Sequence, residues 1–195
     1  MKTIFFFLLT SLASGLFSRS SAPDLHTNFA AISPGAPAFA DSVSKRMNDT
    51  EFLISAYNNG MYEVKAAKLA RRMTGNRSVR KFAVARLASQ EAANKDIIAL
   101  LTIKGITPPN ELPAGLKARF EDLNSWMGKE FNDKYLGGTI ENEKDYTALY
   151  HFVSTNSKDG DVRHFAANAV GQFEAREDSA VNLLKYVDRP ATSTW

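Results

Sequence analysis

Glu63 interrupts an otherwise apolar stripe. Phe52, Ala56, Gly60, Glu63, Ala67 and Ala70 recur at the three-and-four spacing of one helix face. A carboxylate on such a face must be paired with a cation, bound to a metal or protonated, because burying it bare costs several kcal/mol. Arg176 interrupts a second stripe in the same way, among Val162, Phe165, Ala169, Phe173, Ala180, Leu183 and Val187. Two opposite charges on two inward faces point to an internal ion pair or to a polar cage inside a helical bundle. On a helical wheel Asn94 and Asn142 also fall at the centres of their stripes, whereas Glu91 and Glu143 lie roughly 70–100° off centre. The expected buried cluster is therefore Glu63 with Arg176, hydrogen-bonded by Asn94 and Asn142, with Glu91 and Glu143 at its edge. The ordinary reading of those two edge carboxylates is that they are solvated.

The elements that would position these groups are all helical. A first helix is predicted from Asn48, which with Glu51 has capping-box spacing, to Thr74-Gly75. Asn76 is expected to cap a second helix through Val79, Ala83, Leu87, Ile98 and Leu101, with Gly105 as its stop. Ile106 to Pro113 contains three prolines and cannot be helical throughout. A short helix is expected at Ala114–Leu123, a third long helix from Ser125 to Ser154 and a fourth from Asp161 to Val187, ended by Arg189-Pro190. The third carries Phe131, Tyr135, Gly138, Asn142, Tyr146, Leu149 and Val153 on one face, and Gly137-Gly138 reads as a close helix contact or a kink. With no alternating strand pattern, the expected architecture is all-α: an antiparallel four-helix bundle of ferritin-like type, with a short extra helix in the crossover.

The chain has 195 residues, 44% of them hydrophobic, enough for one buried domain. Lys2, the apolar run Ile4–Leu16 and the small residues after it read as an export signal cut between Gly15 and Ala22. The run of 13 residues is short for a membrane span. The expected division is a signal peptide at 1–20, a flexible Ser/Pro/Ala/Gly-rich leader at 21–47, the bundle at 48–188 and a tail at 189–195. The absence of cysteine excludes disulfides, thiolate metal sites and a lipidated N-terminal cysteine. Net charge is +3, and removal of Lys2 and Arg19 leaves 22 basic against 21 acidic residues. No basic stripe interleaved with aromatics supports nucleic-acid binding, and the dense group Lys65, Lys68, Arg71 and Arg72 reads as a solvated helix end. No catalytic triad, phosphate loop or HExxH occurs. His26, His151 and His164 read as leader or surface residues, and the methionines and tyrosines at helical spacing read as packing.

The strings Glu51-Phe52-Leu53, Gly60-Met61-Tyr62-Glu63-Val64, Lys68-Leu69-Ala70 and Val79-Arg80-Lys81-Phe82-Ala83 carry a family resemblance. So do Gly105-Ile106-Thr107-Pro108, Phe131-Asn132-Asp133-Lys134-Tyr135 and Phe165-Ala166-Ala167. Over Asn48–Val187 the chain resembles the exported bacterial domain of unknown function 4142 family. The resemblance implies a ferritin-like fold, export to the periplasm or cell envelope of a bacterium, and no particular activity. It also implies a glutamate on the first helix with a histidine on each of the other three, a set able to hold a metal ion. Here the glutamate matches at Glu63, but the three histidine positions are Glu91, Glu143 and Arg176.

A di-iron site needs Glu-x-x-His steps, whereas Glu91 leads to Asn94 and Glu174 to Glu177. Carboxylates alone favour hard ions such as magnesium, calcium or manganese, and an arginine in the cage opposes any cation. The expectation is that Arg176 replaces the metal and pairs with Glu63, with Glu91 or Glu143 as a further partner, and with no cofactor and no catalytic residue assigned. Two functions remain open. One is a non-catalytic envelope protein, structural or binding an unidentified protein or envelope partner, without nucleic acid and without a stable membrane span after processing. The other is a ferritin-like metal-binding or redox protein using iron or manganese on the bundle carboxylates.

Overall fold

The computed structural model describes residues 47–187. The signal, most of the leader and the tail expected from the sequence lie outside these residues, as does His26. Five helices follow in order: α1 (Asp49–Met73), α2 (Arg77–Ile103), α3 (Ala114–Ser125), α4 (Gly128–Asn156) and α5 (Gly160–Val187), with no strand among the described residues. None of these helices is long and apolar enough to cross a membrane.

Local chemistry sets the helix ends. Asn48 Oδ1 accepts from the Glu51 backbone N–H at 3.0 Å while Glu51 Oε2 accepts from the Asn48 N–H at 2.9 Å, so the capping box starts α1. Asn76 Oδ1 accepts from Ser78 N and Val79 N and starts α2. Gly105 takes the left-handed conformation (φ 68°) just past α2, which a residue with a Cβ resists. Trp126 and Met127 are extended, so α3 and α4 are separate and α4 begins at Gly128 rather than Ser125. Asp159 Oδ1 accepts from Asp161 N and Val162 N and caps α5.

α1–α2 and α4–α5 are antiparallel hairpins; α1 packs on α4 and α2 on α5, and α3 lies against α1 and α4. This is an antiparallel four-helix bundle with α3 as an extra helix in the crossover. Thr74 Oγ1 donates to Asn132 Oδ1 at 2.7 Å near one end, and Ser55 Oγ lies 3.4 Å from Tyr146 Oη toward the other, fixing the opposed run of α1 and α4.

The apolar core has two halves. One gathers Phe52, Leu53, Ile97, Leu101, Leu149, Tyr150, Val162 and Phe173. The other gathers Tyr62, Leu69, Val79, Ala83, Phe131, Tyr135 and Leu136 with Leu183 and Val187 at its margin. On each of the four long helices one inward charged residue falls between the halves: Glu63, Arg86, Glu143 and Arg176. A polar layer therefore crosses the middle of the bundle. On α2 the core takes Ile97, 1% exposed, while Ile98 from the expected stripe is 37% exposed.

Candidate functional site: a charged layer across the bundle

Each long helix contributes one charge to this layer, in alternating sign. Arg86 is the hub. Its Nε and Nη2 donate to Glu63 Oε2 at 2.8 and 2.6 Å, and its Nη1 forms an ion pair with Glu143 Oε1. Arg176 Nε lies 3.3 Å from both Glu143 oxygens and donates to them, and Arg176 Nη2 donates to Oε2 at 3.2 Å. The order across the bundle is thus Glu63–Arg86–Glu143–Arg176, with no net charge. The first three are buried, and Arg176 closes the row from the boundary, its side chain 17% exposed and its guanidinium 4.5 Å above the Phe173 ring. Charge-assisted, forked arginine contacts of this kind are short and directional.

Electrostatics follow burial. Burial works against the Arg86 charge, but the Glu63 and Glu143 carboxylates outweigh it and hold its pKa above the usual arginine value. Burial pushes the Glu143 carboxyl up, against the pull of Arg86 and Arg176. Tyr135 Oη is buried near this layer without a hydrogen-bond partner among the described residues, and burial raises its pKa too. Burial likewise raises Tyr62 to about 12, with the Arg119 guanidinium 5.0 Å from its ring centroid pulling the other way.

The structure rearranges the expected cluster. Glu63 pairs with Arg86, not with Arg176, which keeps only the further partner expected for it, Glu143. Glu143 is 0% exposed rather than at an edge, because α4 buries a second stripe (Asn132, Leu136, Thr139, Glu143, Tyr150) beside the expected one. Glu91 is exposed, in keeping with the solvated reading of it, and forms an ion pair with Lys68 at 3.0 Å, outside the layer. Asn94 is half-buried on the α1–α2 seam, where its Oδ1 accepts from Gln90 Nε2 at 3.0 Å. Gly60 makes room for it: a Cβ there would come within 2.0 Å of Asn94 Oδ1.

Asn142 is buried, but its Oδ1 accepts from Arg119 Nη1 of α3 at 3.4 Å, and Arg119 Nη2 donates to the Gly138 carbonyl at 2.8 Å. Of the adjacent glycines Gly137 and Gly138 on α4, Gly138 thus borders the α3 arginine, while Gly137 has open space about it. Arg86 was missed altogether. Its signal is Val79, Ala83, Arg86, Gln90, Asn94, Ile97 and Leu101, a continuous three-and-four seam hidden by counting Leu87 and Ile98 instead.

Fit to a metal can be tested on the donors. Both inward carboxylates are engaged by guanidinium groups, and Arg86 lies between them where a cation would have to sit. Among the described residues no three of His, Asp or Glu gather into a possible metal cage. His151 and His164 are exposed, the latter 2.9 Å from Asn168 Nδ2. The four positions do not fit a divalent ion.

Fold and site together define a helical bundle whose central charges neutralise one another. The chain belongs to the family called Domain of unknown function (DUF4142), which matches residues 34–183. A solved structure with the same fold is a DUF305 protein from Streptomyces coelicolor that carries a secreted-protein description. It is 16% identical, with a TM-score of 0.57, covering 71% of this chain and 93% of that one. No curated protein matches the chain.

Proposed function

We propose that this ferritin-like bundle is an exported, non-catalytic protein of the bacterial periplasm or cell envelope, structural or partner-binding, in which arginines stand where a metal would. The observation that carries this reading is the double engagement of Arg86: one guanidinium binds Glu63 and Glu143 together. A site of that kind has its acids neutralised, holds no ordinary nucleophile, and is closed to solvent at three of its four members. The chemistry left to it is register, since a satisfied buried ion pair selects one helix alignment over its slipped alternatives. Export rests on Lys2, the Ile4–Leu16 run and the small residues after it.

The test is elemental analysis of protein purified without chelator or affinity metal, beside fractionation of the producing cells. The expected result is no stoichiometric metal and a processed chain in the envelope fraction. Stoichiometric iron or manganese that is lost in Glu63→Ala would favour a metal-binding or redox bundle instead.

A further inference from the structure

Surface charge is spread unevenly along the bundle. From Val64 to Gln90 the chain has no carboxylate, and Arg71, Arg72, Arg77 and Lys81 are exposed around the α1–α2 turn. Among the described residues none of these four enters a salt bridge. Helix-end electrostatics accounts for half of them. Arg71 and Arg72 lie in the last turn of α1, where the helix dipole favours cations. Arg77 is the first residue of α2, where the positive helix end repels it and the first turn has no acid to compensate, and Lys81 lies one turn further along the same helix.

The same end carries exposed apolar groups. The core half that contains Val79 and Phe131 also takes Trp126 and Val187, so the start of α4 and the end of α5 adjoin the α1–α2 turn. Met127 and Tyr186, next in sequence to those two residues, are 72% and 60% exposed. At the opposite end Asp159 and Asp161 pair with Lys104, and Asp49 lies near enough to act on it.

We infer that the α1–α2 end of the bundle docks onto an anionic phospholipid surface. The four cations meet headgroup phosphates, and Met127 and Tyr186 enter the interfacial zone between them, where an amphipathic ring and a flexible apolar chain are favoured. The inference deepens the exported, partner-binding reading and rests on it for the choice of lipid over other polyanions.

The test is co-sedimentation of the full chain with phosphatidylglycerol-containing vesicles and with pure phosphatidylcholine vesicles, at low and high salt. The apolar run Ile4–Leu16 is common to every variant, so the difference between variants reads the bundle end. The expected result is a preference for the anionic vesicles that falls with salt. Replacing Arg71, Arg72, Arg77 and Lys81 together by Gln should weaken it about fivefold per charge, several-hundred-fold in all, with helix content unchanged by circular dichroism. Met127→Ser with Tyr186→Ser should weaken binding at every salt concentration. Equal binding by wild type and the four-Gln variant, or equal binding to neutral vesicles, would overturn the docking surface. Tighter binding to RNA or to an acidic protein than to vesicles would overturn the lipid assignment. A chain found in the envelope fraction without vesicle preference removes only this inference; a chain retained in the cytoplasm removes the export reading.

Discussion

Arg86 spends two of its three nitrogens on a single oxygen of Glu63, Oε2, at 2.8 and 2.6 Å, and reaches Glu143 with the third. One side chain of α2 therefore ties α1 to α4 across the bundle, between two apolar core halves. Removing Arg86 leaves the buried Glu63 carboxylate without its counter-ion, whereas removing Glu63 and Arg86 together leaves Glu143 paired with Arg176.

Arg86→Met should accordingly destabilise the bundle by about 3–5 kcal/mol, and Glu63→Gln by less, because the amide still accepts one hydrogen bond. In a double-mutant cycle measured by urea unfolding, the 63/86 pair should couple by at least about 1 kcal/mol. Additive single effects would show that the two do not interact in solution.

Gly60→Ala is a test of the α1–α2 seam. A Cβ at 2.0 Å from Asn94 Oδ1 must displace that side chain and break its bond to Gln90. Alone, the change should be neutral to destabilising by about 1 kcal/mol, since strain offsets the gain in helix propensity. In an Asn94→Ala background only the flexible end of Gln90, its Nε2 3.0 Å from the Cβ, has to give way, and the same substitution should stabilise by up to about 1 kcal/mol. Thermal melts of the four combinations give the sign change directly.

Alkaline pH should unfold the protein by ionising its buried phenols. Burial raises both Tyr62 and Tyr146 to about 12. A raised pKa means that the contribution to stability is complete below the unfolded value, about 10, and is lost as pH rises through the folded one. For Tyr62, which is 5% exposed, the effect amounts to about 3 kcal/mol. Denaturant midpoints should therefore fall between about pH 10 and 12, and less steeply in Tyr62→Phe.

The Lys104–Asp159 pair, 2.5 Å apart, joins the end of α2 to the start of α5. The Lys104 ammonium holds the Asp159 carboxyl below its ordinary pKa, with the Val162 and Asp161 N–H groups helping, and the bond to Asp159 raises Lys104. On the acid side the contribution of Asp159 is present above its unfolded pKa, about 3.9, and disappears as pH falls through the lower folded value. On the alkaline side that of Lys104 is present below about 10.4 and fades as pH rises through its higher folded value. Asp159→Asn, which keeps a capping oxygen, should lower Tm at pH 7 and match wild type at low pH. A deficit that persists at low pH would assign the effect to the cap instead.

Sequence determined the elements because their causes are local. Asn48 with Glu51 caps α1, Asn76 caps α2, and three-and-four periodicity marks inward faces whether or not the partner helix is known. For the same reason Glu63 and Arg176 were recognisable as charges turned toward a core. Periodicity supplies an angle on one helix at a time. It misplaced Glu143 because α4, covered by neighbours on two sides, buries two adjoining stripes, and it passed over Arg86 because a neighbouring leucine, Leu87, appeared to complete the stripe.

Which cation meets which anion was decided only by tertiary structure. That choice depends on the stagger of four helices and on the reach of long side chains across their seams. α2 places Arg86 between Glu63 and Glu143, and α5 leaves Arg176 at the boundary to close the row on Glu143. Pairing is a property of the assembled layer, and no single helix contains it.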